Sequence, residues 1–231
     1  MPNLTTFLLR CETELGADHR DLVWYDHGRP VIVTREAFFG EYAWSLLVWN
    51  KSRRAAETFA EQRDFWRVFT LKSVAVTSGP QLVRRIGVDP ANHLGKRFVA
   101  LAAVGRIVAA MSEAEFRESF FLGEKISSKL GAAHARRLRE LRLFGVGPAN
   151  AAFIVRNLGG EMVKCDRWLL AFLGATQLSL ADLELAAHQL GWGLGRVDAV
   201  LWSYCEQYVR DVARLHDFLR NRSLLGRWRA A

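Results

Sequence analysis

The chain has 231 residues, 50% of them hydrophobic and 24% charged, which is the mixture of a folded protein and excludes disorder. Lys and Arg number 32 against 24 Asp and Glu, a net +8, the balance expected of a chain that meets polyphosphate, although solvated charged faces, acidic substrates and membrane surfaces fit it too. Cys11, Cys165 and Cys205 are odd in number and too far apart for a zinc half-site, which argues against a disulfide framework or a metal centre.

In chain order, the pattern opens on one strand-like run, Pro-Val-Ile-Val-Thr at 30–34, and is helical almost throughout thereafter. Thr34, followed by Glu36 and Ala37, reads as a helix start. The segment Arg35 to Gln62 sets Phe38, Phe39, Tyr42, Leu46, Trp49 and Phe59 among polar residues, as one long helix or two abutting ones. Helices are expected over 65–76, 80–86, 94–111, 112–121, 134–142, 149–157, 166–173, 180–189 and 196–219. Turn chemistry at Ser78-Gly79-Pro80, Asp89-Pro90, Gly145-Val146-Gly147-Pro148, Gly159-Gly160 and Gly191-Trp192-Gly193 punctuates them. The longest apolar stretch, Phe98 to Met111, is broken by Gly105 and Arg106 and falls short of the roughly 20 residues of a membrane span. No signal peptide is recognisable, so a cytoplasmic, membrane-free chain is expected. The expected class is mostly α, one domain over 1–231, with its only β candidate at 30–34.

The most informative stretch is Leu141 to Leu170, LRLFGVGPANAAFIVRNLGGEMVKCDRWLL. Two short helices flank Phe144-Gly145-Val146-Gly147-Pro148, where the glycines permit backbone angles closed to other residues and Pro148 suits a first helical turn. This is a helix-hairpin-helix signature, spanning about 134–157. Gly145, Val146 and Gly147 would let a nucleic-acid backbone approach, with N–H groups at the second helix's start aimed at phosphate. The plainer reading is an αα-turn with a glycine cap. A Gly159-Gly160 turn and an extended run, Glu161 to Cys165, then lead to Asp166 at the head of the next helix.

A hairpin followed about one and a half dozen residues later by an aspartate resembles the helix-hairpin-helix superfamily of DNA glycosylases, and within it the archaeal-type 8-oxoguanine glycosylases. Glu36 to Asn50, Asn92-His-Leu-Gly-Lys-Arg-Phe98, Arg156-Asn-Leu-Gly159, Asp166-Arg167 and Asp198-Ala-Val-Leu-Trp202 carry the resemblance across roughly Arg35 to Tyr208. It implies two helical subdomains flanking a base-binding cleft, a monomer acting on duplex DNA with a modified base, and no cofactor. By it, Asp166 is the catalytic carboxylate, stabilising the cationic sugar of the transition state. Asp198 and Trp202, one turn apart on a helix, together with Asn50, form the base pocket, Trp202 stacking and Asp198 accepting from base N–H groups. Asp is also a favoured helix N-cap, and Trp44, Trp49, Trp168 and Trp202 would each serve as core aromatics.

The chain departs from the family where bifunctional members carry a nucleophilic lysine: Pro148-Ala149-Asn150 stands there. Ala149 is no nucleophile, which points to a monofunctional hydrolase leaving an abasic site; Lys164 and Lys51 are the remaining candidate amines. The four-cysteine iron–sulfur pattern of some relatives is missing. Arg136 and Arg139, in the helix leading into the hairpin, are expected to flank the DNA backbone; Arg53-Arg54, Arg84-Arg85 and the arginine-rich tail carry guanidinium forks that suit phosphate, and each cluster reads equally as a solvated helix face. The expected substrate is an oxidised purine such as 8-oxoguanine, in DNA repair. The alternatives are an antiviral defence glycosylase excising a hypermodified base such as glucosylated hydroxymethylcytosine, a non-catalytic DNA-binding module, and a basic helical scaffold.

Overall fold

The computed structural model describes residues 4–30, 32–49, 52–122 and 131–221. In chain order the helices are α1 (Leu4–Leu15), α2 (Arg20–Val23), α3 (Arg35–Leu47), α4 (Arg53–Gln62), α5 (Phe65–Val68), α6 (Leu71–Val76), α7 (Gly79–Arg85), α8 (His93–Ala110), α9 (Glu113–Phe120), α10 (Gly131–Glu140), α11 (Pro148–Asn157), α12 (Arg167–Thr176), α13 (Leu180–Leu190), α14 (Leu194–Tyr204) and α15 (Leu215–Asn221). Wider π turns extend α2 over Trp24–Gly28 and α14 over Cys205–Val209. The protein is mostly α, and no strand occurs among the described residues.

The strand expected at 30–34 is therefore corrected. Its described residues are irregular, Val33 is buried, and Thr34 turns its hydroxyl to the Ala37 N–H as the N-cap of α3. A lone run has no second strand to satisfy its backbone, whereas a cap does. The stretch 35–62 is two helices, because Ser52 caps α4 through the Ala55 N–H. Likewise 65–76 breaks where Thr70 caps α6 through Ser73. The expected 196–219 helix is interrupted at Arg210, which takes a left-handed φ of 63°. Helices also precede residue 30, where none was expected: α1 buries Leu4, Phe7, Leu8 and Cys11, the i, i+3, i+4, i+7 stripe of an amphipathic helix.

The chain forms two units: a first of residues 1–29, 127–132 and 159–231, and a second of residues 30–126 and 133–158. In the first, α1 packs against α13 and α14, and α12 against α14 and α15. Leu8, Leu183, Val197 and Val200 are fully buried, and the Phe7 ring stacks on Phe172 at 5.7 Å.

The second unit is organised around α8, which packs against α3, α6 and α7. Gly105 on α8 is held to that size, since a Cβ there would lie 2.4 Å from the Phe39 ring. Two aromatic clusters fill the core: Phe38 with Phe116, Phe120 and Phe121, and Phe65 with Phe69 and Phe98. Arginines then close the helix ends, whose last carbonyls have no intrahelical donor. Arg63 donates to the Ile86 and Gly87 carbonyls beyond α7, at 3.1 and 3.0 Å. Arg106 donates to Val74 and Thr77 at the end of α6, and Arg35 to Ala109 and Met111 at the end of α8. Arg137 donates to Ser119 in α9, and Arg97 to Trp49 just past α3.

The charge divides unevenly. The second unit holds 19 Lys and Arg against 11 Asp and Glu, and the first holds 13 of each, so the whole +8 belongs to the second.

Candidate functional site

In the first unit, Asp166 is the N-cap of α12. Its Oδ1 accepts the Trp168 and Leu169 N–H groups at 2.9 and 3.2 Å, and its Oδ2 lies 3.2 Å from Lys164 Nζ. Two amide donors and an ammonium thus fix the carboxylate in orientation. Capping is real, and it is also what aims the group. Asp198 is buried on α14, 3% exposed, and Trp202 follows one turn later, part-buried. Asp166, Asp198 and Trp202 line one small, partly open hollow, with Trp168, Phe172 and Cys205 among its other walls. The hollow has room for about a single water, so a larger occupant enters only with side-chain movement.

Chemically the hollow pairs two carboxylates with aromatic walls. Burial first, then the charge of Asp166, pushes the Cys205 thiol up to about 12. Burial and the charges of Asp198 and Asp166 also raise Cys165. Both shifts disfavour the thiolate, which is the nucleophilic form of a cysteine. Cys11, Cys165 and Cys205 are free thiols, and no group of His, Cys, Asp or Glu among the described residues is arranged to hold a metal ion.

Glu161, five residues before Asp166, is a tie point that its sequence neighbourhood does not announce. The Tyr25 hydroxyl donates to its carboxylate at 2.7 Å, Arg29 lies 3.2 Å away, and the Gly195 N–H donates at 3.0 Å. One carboxylate thereby ties together the π turn after α2, the extended run before Asp166 and the first turn of α14. Burial and the adjacent Glu161 raise the Tyr25 hydroxyl, keeping it a donor. Arg196 adds a second tie, pairing with Glu12 on α1 and with Asp26. Trp168, Phe172 and Cys205 were not singled out from sequence for the hollow; Trp168 and Phe172 follow Asp166 on α12, where helical spacing alone would have suggested them.

In the second unit, α10 and α11 form the hairpin. Gly145 has φ +75°, and a Cβ there would lie 2.7 Å from Leu46 Cδ2 and 3.0 Å from the Trp49 ring, so its smallness serves packing on α3. Val146 is buried, while Gly147 is exposed with open space where a Cβ would stand. Pro148 begins α11, Gly147 offers it no side-chain cap, and Asn150 Nδ2 instead secures the turn by donating to the Gly145 carbonyl at 2.7 Å. Asn157, at the far end of α11, donates to Glu41 on α3 at 2.7 Å and accepts from Arg156.

Arg136, Arg139 and Arg142 are exposed, and no ion pair among the described residues engages them. Arg54, Arg84 and Arg85 are exposed as well. Asn50, Lys51 and the tail beyond Asn221 lie outside the described residues. No single helix among the described residues is long and apolar enough to cross a membrane. Comparison with protein-family models, with curated proteins and with solved structures gives no match.

Proposed function

We propose that the chain is a helix-hairpin-helix DNA glycosylase that hydrolyses the N-glycosidic bond of an everted, modified base, an oxidised purine such as 8-oxoguanine, and leaves an abasic site. The observation that carries the reading is the convergence of Asp166, Asp198 and Trp202 on one aromatic-walled hollow. Breaking the bond builds positive charge on the deoxyribose. A carboxylate held in place by its helix stabilises that charge without having to reorganise. At about 4 Å and an effective dielectric near 20, the interaction is worth roughly 4 kcal/mol, or about a thousandfold in rate.

Asp198 would accept N–H groups of the base, and Trp202 would stack on it after a rotamer change opens the hollow. Water is the nucleophile in this reading. Ala149 supplies no amine, and the Lys164 amine is engaged by Asp166 at 3.2 Å. In the second unit, Gly147, the open start of α11 and the arginines 136, 139 and 142 would hold phosphates by position rather than by sequence.

Incubation of the full chain with duplexes carrying a panel of modified bases, glucosylated hydroxymethylcytosine included, tests the proposal. Base release is expected, with strand breaks only after alkali and no adduct trapped by borohydride. No release from any duplex would sink the enzymatic reading and leave a DNA-binding module. An adduct would overturn water as the nucleophile.

A further inference from the structure

We propose that the hairpin also carries a stacking platform for an unpaired nucleobase, made by Phe144, with Arg139 and Arg142 as its phosphate contacts. This rests on the hairpin meeting DNA, and it names the strand state the hairpin favours. Phe144 is 41% exposed in a unit whose other phenylalanines are mostly buried. Its exposure is not slackness. The Tyr42 hydroxyl donates to the Phe144 carbonyl at 2.8 Å, and the ring leans on Trp49 at 6.0 Å between centroids.

Trp49 is held in turn from α8. The Arg97 guanidinium lies 4.3 Å from its ring centroid and donates to its carbonyl at 3.1 Å. Arg97 is 6% exposed, and no carboxylate among the described residues pairs with it, so its charge acts on the Trp49 ring. The arrangement is a cation, a ring and a second ring in series, open at the Phe144 end. A platform so fixed loses little entropy when a base settles on it.

Charge decides the occupant. Arg142 stands two residues before Phe144 with φ 50°, Arg139 precedes it on α10, both are exposed, and the unit carries the whole +8. An exposed aromatic ring with exposed arginines two and five residues before it in the chain fits a base with its phosphates. In a fully paired duplex the base faces are already covered by their neighbours, so Phe144 adds nothing there.

The test measures binding of the full chain to a short oligothymidylate and to an unmodified, fully paired duplex. F144A is expected to weaken the oligothymidylate complex by about tenfold, the value of roughly one stacked base, with the duplex complex unchanged. F144W is expected to restore it, and melting curves for both variants check that the hairpin is intact. Equal loss on both probes, or no loss on either, overturns the platform, as does a wild-type chain that binds neither. Base release in the modified-duplex panel bears on the enzyme alone, so the two failures are distinguishable.

Discussion

The two units use arginine differently. In the first, where Lys and Arg equal Asp and Glu in number, Arg10, Arg29 and Arg196 are met by the carboxylates of Glu14, Glu161, and Glu12 with Asp26. In the second, which carries the net charge, Arg53, Arg67 and Arg117 are paired with carboxylates as well, but Arg63, Arg97 and Arg106 donate to carbonyls at or just beyond helix ends, and Arg35 and Arg137 do so beside Glu113 and Glu140. A surplus of arginine is thus partly a building material, because an end-capping guanidinium needs no acidic neighbour. The electrostatic footprint is better read from the arginines left over, and those bordering the hairpin are Arg136, Arg139 and Arg142.

The largest expected effect tests the first unit's hollow. D166N should lower base release by about a thousandfold with DNA binding unchanged, since Asn still caps α12 while the charge is lost; full activity in single-turnover assays would remove Asp166 from its role. Next, replacing Arg136, Arg139 and Arg142 together by Ala should weaken duplex binding by about a hundredfold, at about 1 kcal/mol for each arginine that meets a phosphate. The log–log salt slope should fall by about 0.9 for each phosphate that is no longer neutralised. An unchanged slope would place the footprint elsewhere.

R106A draws the opposite line within the same unit. Removing the donor to the Val74 and Thr77 carbonyls should cost about 1 kcal/mol in denaturant unfolding and leave the salt slope alone. The smallest effect concerns Glu41, whose carboxyl burial raises above its ordinary 4.5, offset by the Asn157 hydrogen bond and the Arg156 charge. With the folded value raised, its contribution to stability is fully present below about 4.5 and is lost as pH rises through that folded value. E41Q should therefore flatten the dependence of the unfolding midpoint on pH and be no less stable than wild type at neutral pH. A Gln variant weaker at neutral pH would show that the charge of Arg156 outweighs burial.

Much of the candidate site was legible because its determinants are local. The hairpin turn follows from Gly145, Gly147 and Pro148, and Asp166 ahead of an apolar run announces a cap. Asp198 and Trp202 are four apart on α14, which puts them on one face wherever that helix packs. The strand at 30–34 failed for the complementary reason: a strand is decided by a partner, and this run has none among the described residues. Glu161 was invisible because Tyr25, 136 residues away, is what gives it a task.

From its residues alone, the chain determined that it would be helical, where its helices would be capped and which side chains each helix would show on a common face, since these are settled within a few residues by backbone hydrogen bonding and periodicity. Tertiary structure decided which charges would be consumed. Arg35 finds its acceptor at Met111 and Arg63 at Gly87, and no short-range pattern distinguishes such arginines from those that remain exposed, because the distinction lies in which distant carbonyl packing delivers to each guanidinium.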